Sequence, residues 1–258
     1  MAAKVPMEIS ADRASGLKRY NLIAGVFHAI QAVAIIALSN GFSLPVHISY
    51  LQGPPIPGVE FEKVDLFSLP VGIAVAAFSI MSALAHFYVS GPGYGRYIEG
   101  LRNKRNYYRW IEYSFSSTLM IILISMLNAV WDIVGIIAIA GANVAMILFG
   151  WLQEKYEEPG TGSLLPFWFG CIAGIVPWIA MFILLFSPGS TQEAPGFVYG
   201  IVFSLFLLFN CFAIVQWLQY KQIGRWKDYL AGERTYITLS FIAKSLLAWQ
   251  IFAGTLIS

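Results

Sequence analysis

The stretch TYITLSFIAKSLLAWQIFAGT, Thr235–Thr255, decides how the chain is read. A helix needs about 20 mostly apolar residues to cross a bilayer core, and this stretch supplies them with one charge, Lys244, near its middle. A lysine at that depth costs roughly 2.5–3.5 kcal/mol on insertion scales. The rest of the composition says that the stretch faces lipid. Hydrophobic residues make up 58% of the 258 and charged residues 12%, whereas a soluble domain carries roughly 25% charged residues. With mean hydropathy at +0.67, a soluble globular protein and a disordered chain are both excluded. A formal net charge of only +2 argues against a nucleic-acid partner.

Outward from that stretch, six more apolar runs are long enough to span. The seven are Tyr20–Ser39, Asp65–Val89, Tyr107–Leu127, Ala129–Leu152, Leu164–Ser187, Pro195–Tyr220 and Tyr236–Ile257, with a tight turn near Asn128 and Asp132 joining the third to the fourth. None alternates with period two as a membrane barrel strand does. The expected fold is an all-α membrane protein, a seven-helix bundle forming a single domain over residues 1–258. The first run exceeds the 7–15 apolar residues of a signal peptide and follows a polar segment, so it reads as a retained helix. Within residues 40–65, Val46, Ile48 and Tyr50 alternate with polar residues, as do Val59 and Phe61, and Gly53-Pro54-Pro55-Ile56-Pro57-Gly58 separates the two runs. This pattern predicts a short β-hairpin between the first two spans, long enough to cap that face or to meet a second copy of the protein.

Lys and Arg set the orientation. Fourteen of the sixteen fall on one side: Lys4, Arg13, Lys18 and Arg19 before the first span, Arg96, Arg102, Lys104, Arg105 and Arg109 after the second, Lys155 after the fourth, and Lys221, Arg225, Lys227 and Arg234 after the sixth. Only Lys63 falls on the other, and Lys244 lies within a span. The N-terminus is therefore expected in the cytoplasm and the hairpin and C-terminus outside. Cys171 and Cys211 both sit in apolar runs, where cysteine behaves as a small hydrophobe; no disulfide and no thiolate metal site is expected.

Lys244 needs an explanation. It is either an ion-paired packing residue or an amine that does chemistry, such as Schiff-base formation, which desolvation favours. Most acidic residues lie in loops or tails, and Asp65 and Asp132 sit at span edges on the far side. Glu112, one turn into the third span, lies at a depth similar to that of Lys244. A lone buried cation and a lone buried anion at one depth are expected to pair, since stranding either costs about 3–5 kcal/mol. His28 and His86 lie at the same end of their spans and suggest a polar, hydrated pocket open towards the cytoplasm. Interhelical hydrogen bonding is the plainer reading of each. A metal site is the weaker alternative, because two histidines and one Glu leave too few ligands. Arg109, one turn before Glu112, is placed either to stabilise that carboxylate or simply as a positive-inside arginine. Trp178, Phe209, Phe212, Trp110 and Tyr113 all lie in spans; beside the lysine they suggest a cavity for a flat apolar ligand.

At these residues the sequence resembles a rhodopsin. Arg109-Trp110-Ile111-Glu112-Tyr113, with Ser116 one turn on, looks like the counterion motif of microbial rhodopsins, and the seventh-span lysine matches their retinal-binding lysine. The closer resemblance is to the heliorhodopsins, over essentially the whole chain. It is carried by GVFHAIQ (Gly25–Gln31), the GPP-containing first loop, WLQEKY (Trp151–Tyr156), LLPFWFGCIAGIVPW (Leu164–Trp178), PGFVYG (Pro195–Gly200) and AKSLLAWQIF (Ala243–Phe252). That family has a cytoplasmic N-terminus, in agreement with the charge distribution. The resemblance implies all-trans-retinal bound covalently to Lys244 as a protonated Schiff base, with Glu112 as counterion and His28 and His86 in the polar cavity beside it. Ser240 would stand where many pumping rhodopsins have a second carboxylate, and Phe209 where those relatives have a sixth-span Trp. Asn143, Met146, Trp178 and Gln216 match heliorhodopsin pocket positions.

The expected function is light sensing with a slow photocycle and without net ion transport. In pumps of the wider superfamily a donor carboxylate lies eleven residues beyond the counterion, and here that position is Leu123. The expected partners are the lipid bilayer, a second copy and an unknown cytoplasmic signalling protein. Small residues in the fourth span, GIIAIAGANVAM (Gly135–Met146), allow close helix approach. The alternatives are a light-driven ion transporter, a light-dependent regulator of a bound cytoplasmic enzyme, and a retinal-free transporter gated by Lys244 and Glu112. No nucleophile triad or phosphate loop marks the chain itself as an enzyme.

Overall fold

Among the described residues of the computed structural model, seven helices are long and apolar enough to cross a membrane. The structure describes residues 6–187 and 189–256, so Lys4 and the expected span end at Ile257 lie outside the described residues. In chain order the elements are α1 (Ala11–Leu38), β1 (Ser43–Leu51), β2 (Phe61–Pro70), α2 (Val71–Ser90), a short α3 (Tyr94–Arg102), α4 (Tyr107–Leu127), α5 (Ile133–Tyr156), α6 (Leu165–Phe186), α7 (Gly196–Tyr220) and α8 (Tyr229–Ile251), which closes in a π turn over Phe252–Leu256. All but α3 are spanning helices. Their outer faces carry exposed apolar side chains, such as Leu22, Phe27, Ile30 and Val33 on α1 and Trp168, Ile172, Ile179 and Ile183 on α6. Surface of that kind and extent is suited to lipid rather than water.

The inward faces divide into layers. Towards the hairpin end, Phe78, Met120, Ile121, Leu123, Ile124, Met181, Leu205 and Leu247 form a fully buried apolar plug. At the N-terminal end, Leu17, Tyr97, Leu101, Tyr229 and Leu230 form a second cluster, where amphipathic α3 folds against α1 and α8. The site described below lies between the two.

β1 and β2 pair antiparallel, with a bulge at Val46/His47. Leu44 and Val46 point into the bundle and are buried. The α4–α5 turn is tied to this hairpin. His47 N donates to Trp131 O at 3.0 Å, and Ser49 N donates to the Asp132 carboxylate at 3.1 Å. Asp132 also caps α5, accepting from Val134 N at 2.9 Å. Desolvation favours its neutral form, but hydrogen bonds from Val134, Gly135 and Ser49 outweigh that and hold the carboxyl below its ordinary range.

Several element ends differ from expectation, because caps set helix ends and hydropathy does not. The second span does not begin at Asp65. That residue pairs with His47 in the sheet, the strand runs on to Pro70, and the helix starts at Val71. An exposed strand rich in apolar residues and a helix look alike to an apolar count. The first helix begins nine residues before Tyr20, at Ala11, where the Ser10 side chain accepts from Arg13 N. The last begins at Tyr229 rather than Tyr236, because Asp228 accepts from Leu230 N at 3.1 Å. The fourth span starts at Ile133 and runs on to Tyr156, past Leu152.

Candidate functional site: a buried ion pair beside an aromatic cavity

Three helices bring the central pair together. On α8, Ser240 lies one turn before Lys244, and its Oγ accepts from Nζ at 2.9 Å. From α4, Glu112 Oε1 accepts from the same Nζ at 2.8 Å. From α2, Ser82 Oγ donates to that same carboxylate oxygen at 2.6 Å. The two charged side chains are 3% and 10% exposed. Nζ also lies 5.1 Å from the centre of the Tyr113 ring, a favourable position for a cation.

On one side of the pair opens a cavity of about 820 Å³, counted out to its open mouth. Trp110, Tyr113, Phe209, Phe212 and Tyr236 wall it, and Lys244 is the only charged residue in its lining among the described residues. Gly150 makes room for the wall, since a Cβ there would run into the Trp110 ring. Of the positions singled out from sequence, Tyr113, Met146, Phe209, Gln216, Ser240 and Lys244 line the cavity. The Gln216 side chain donates to Gly150 O at 3.2 Å. Three others stand behind the lining. Asn143 ties α5 to α4 through Ser117 Oγ at 3.0 Å and Thr118 Oγ1 at 2.9 Å. Trp178 packs edge-on against Phe206 and Phe209. Ser116 is fully buried one turn after Glu112.

Towards the N-terminal end lies a smaller, polar chamber, lined among others by Asn21, His86, Tyr97, Glu112, Glu233 and Ser240. His28 and His86 stack with ring centres 5.8 Å apart. His86 Nδ1 shares a hydrogen bond with Asn21 Oδ1 at 2.8 Å. His28 is completely buried, and neither of its ring nitrogens has a hydrogen-bond partner among the described residues.

Arg109 departs from one of its two sequence readings: its ion pairs among the described residues are not with Glu112, although it stays with the basic residues of the N-terminal end. Its side chain is 5% exposed and forms ion pairs with Glu233 at 2.6 Å and Glu154 at 2.7 Å. Long helical side chains lean towards the helix N-terminus, which carries this one away from Glu112 to where α5 and α8 present carboxylates. The view that Glu112 alone among the acids is buried is corrected with it, for Glu154 and Glu233 are 3% and 2% exposed. Asn106 and Tyr97 donate to Glu233 at 2.7 and 3.1 Å. Tyr229 and Trp110 donate to Glu154. Burial, with the Glu233 charge beside it, pushes the Tyr97 phenol well above its usual range, so it stays a donor. A sequence signal for Glu233 existed. It lies eleven residues before Lys244, three turns along the same face. Glu154 looked like the tail of a span, and only the extra turn of α5 buries it.

Residues 17–256 match the heliorhodopsin family. The chain belongs to that family. No curated protein matches its sequence. Among solved structures, the light-driven proton pump rhodopsin of Coccomyxa subellipsoidea superposes with a TM-score of 0.65 at 18% identity, over 96% of this chain and 98% of that one. A light-driven proton pump from Leptosphaeria maculans gives 0.63 at 15%, over 96% and 97%. The transmembrane domain of the Salpingoeca rosetta rhodopsin phosphodiesterase gives 0.63 at 11%, over 94% and 84%. At such identities these neighbours establish a shared rhodopsin fold. Heliorhodopsin membership makes this a multi-pass membrane protein of the retinal photoreceptor type. The residues present suit that chromophore. An aromatic cavity with one amine at its edge, and a carboxylate on that amine, matches an elongated apolar molecule with a single reactive carbonyl end.

Proposed function

We propose that the protein is a light sensor that carries all-trans-retinal covalently on Lys244, with Glu112 as counterion, and works without net ion transport. The observation that carries this reading is the 2.8 Å pair of Lys244 and Glu112 beside the aromatic cavity. When bound, retinal supplies a polyene that light isomerises and whose protonated link to an amine absorbs in the visible. The chain supplies the electrostatics. At an effective dielectric of about 20, a carboxylate about 4 Å from a cation contributes roughly 4 kcal/mol, enough for Glu112 to hold a positive charge at Nζ near neutral pH. Ser82 and Ser240 fix the two partners in place. Glu112, and the polar chamber containing His86 and Asn21 with His28 stacked on His86, are the groups placed to take a proton released at Nζ.

The absence of transport is inferred from the one-sided layout of ionisable groups, and the slow photocycle from the resemblance to the heliorhodopsins. Leu123, three turns beyond Glu112, lies in the apolar plug at the hairpin end. The Lys and Arg distribution supports a cell-membrane location with the N-terminus on the cytoplasmic side and the hairpin and C-terminus outside. Output runs to a cytoplasmic partner of unknown identity, from a homodimer; no activity as an enzyme is assigned to the chain. Transport is the second reading, favoured by the fold shared with two light-driven proton pumps. Regulation of a bound enzyme is a third, given the likeness to the membrane domain of a rhodopsin phosphodiesterase.

The test is to add all-trans-retinal to the purified protein. A visible band is expected, and Lys244→Ala should show none; a wild-type band in that variant would move the attachment site. Light-driven acidification or alkalinisation of a cell suspension, abolished by a protonophore, would replace the sensor with a transporter.

A further inference from the structure

The cavity beside Lys244 has two ends of different make. At the lysine end the large rings of Tyr113, Phe212 and Tyr236 pack against one another. The far end lies between α5, α6 and α7, where Gly150, Gly170, Cys171 and Ala213 line it with small side chains. Gln216 of α7 belongs to this far end, since its side-chain nitrogen donates to Gly150 O on α5 at 3.2 Å. That is the one hydrogen bond its amide makes among the described residues, and it leaves Oε1 without a donor. The residue is only 8% exposed, yet protein atoms do not seal that oxygen off.

Other polar side chains of the lining are occupied within the protein. Trp110 Nε1 donates to Glu154, Tyr113 OH donates to Tyr236 O at 3.3 Å, Ser117 Oγ donates to Tyr113 O at 2.7 Å, and Ser240 Oγ accepts from Lys244. Tyr236 borders the polar chamber as well as the cavity, whereas Gln216 borders the cavity alone. A carbonyl oxygen left bare against hydrocarbon is costly. A ligand whose far end is wholly apolar would leave the Gln216 oxygen in that state. A ligand whose far end carries a hydrogen-bond donor would not.

We propose that the cavity takes a ring-hydroxylated retinal in preference to the plain one, with Gln216 Oε1 accepting a hydrogen bond from the ring hydroxyl. This rests on the light-sensing reading, which fixes the aldehyde end at Lys244 and so sends the ring towards α5 and α6. The bond to Gly150 O holds the amide in place and leaves its oxygen as the acceptor still to be filled. A hydroxyl fills it, whereas an ether at the same place has no hydrogen to give. The small side chains of Gly150, Cys171 and Ala213 leave room for one more oxygen atom beside Gln216. Sites that hydrogen-bond a ligand hydroxyl discriminate against the analogue that lacks it. The hydroxyl sits at the opposite end from Nζ, so Lys244, Glu112 and Ser240 serve both forms of the ligand alike.

The experiment offers the purified full chain equal amounts of all-trans-retinal and a ring-hydroxylated all-trans-retinal, with the hydroxyl on each ring methylene carbon in turn. The share of each bound form is read by extraction and chromatography. At its best position the hydroxylated form should be preferred roughly two- to tenfold, the range of one net hydrogen bond. The corresponding methyl ether, which keeps the oxygen but cannot donate, should show no preference over plain retinal. Gln216→Leu keeps the bulk and removes the acceptor. It should lose the preference for the hydroxylated form and still give a visible band with plain retinal, which shows that it folds. Equal uptake of the two forms by a wild type with a normal visible band overturns this inference alone. So does a Gln216→Leu variant that keeps the preference, or a methyl ether that is preferred as strongly as the alcohol. If neither form gives a visible band or stays on Lys244, the light-sensing reading fails and this inference falls with it.

Discussion

Two groups of buried charge lie within a few helical turns of each other and differ in kind. Arg109 is enclosed by Glu154 and Glu233, and those carboxylates take further hydrogen bonds from Asn106, Tyr97, Tyr229 and Trp110. Lys244 has one carboxylate and one hydroxyl, and an aromatic cavity on its other side. The first group matches each buried charge with opposite charge and hydrogen bonds, and it joins α3, α4, α5 and α8 at the N-terminal end of the bundle. The second leaves the amine open to a ligand. A buried charge by itself therefore does not mark a site. What marks one is a buried charge with few partners and space beside it.

The largest effect expected from this contrast is on stability. Arg109→Ala strands two buried carboxylates and should cost about 3–5 kcal/mol, read by denaturant unfolding of the solubilised protein. Any pigment that forms should keep the wild-type colour. A stable variant with altered colour would erase the distinction between the two groups. Glu112→Gln should do the reverse, moving the visible band and causing it to vanish at lower pH in an alkaline titration, with a smaller loss of stability than Arg109→Ala. An unchanged spectrum and titration would transfer the counterion role to another residue. Ser82→Ala removes one of the hydrogen bonds on Glu112 and should cost about 1 kcal/mol, with a small shift of the same band; an effect as large as that of Glu112→Gln would make Ser82 more than a support.

The smallest effect lies far from both groups and serves as a control. The Asp132 carboxyl is held below its ordinary value by hydrogen bonds that exist only in the folded hairpin end. The stability it contributes is present above the usual aspartate pKa of about 3.9, and is lost as pH falls through the lower folded value. Amide exchange of Ser49 and its neighbours should therefore rise on acidification below about pH 4 in the wild type. In Asp132→Asn it should depend less on pH, and the pigment should be unaffected. Equal acid sensitivity in both would place the hairpin's tether elsewhere.

How far the sequence could be read follows from the kind of signal each feature leaves. The seven spans are local runs of apolar residues, and the hairpin leaves alternation around a Gly-Pro turn, so both are visible one segment at a time. Helix ends were less legible because they depend on single capping side chains. Ser10 and Asp228 moved two boundaries by nine and seven residues, and the strand that runs on to Pro70 moved a third by six. The shared depth of Lys244 and Glu112 can be counted along the chain, but Arg109 shows the limit of counting. Spacing puts it on the same face as Glu112, yet the direction of its side chain, and the helices waiting there, send it to Glu154 and Glu233.

By itself the sequence determined that this chain lives in a bilayer, how many times it can cross, which end carries the basic loops and at what depth its lysine and its third-span acid lie. These are properties of composition and of distance along a helix. Only the tertiary structure decided which carboxylates enclose Arg109, which aromatic rings face the cavity and which stand behind it, and that Asn210 is exposed near the middle of α7. All three depend on how each helix is rotated about its own axis, and neighbouring helices set that rotation.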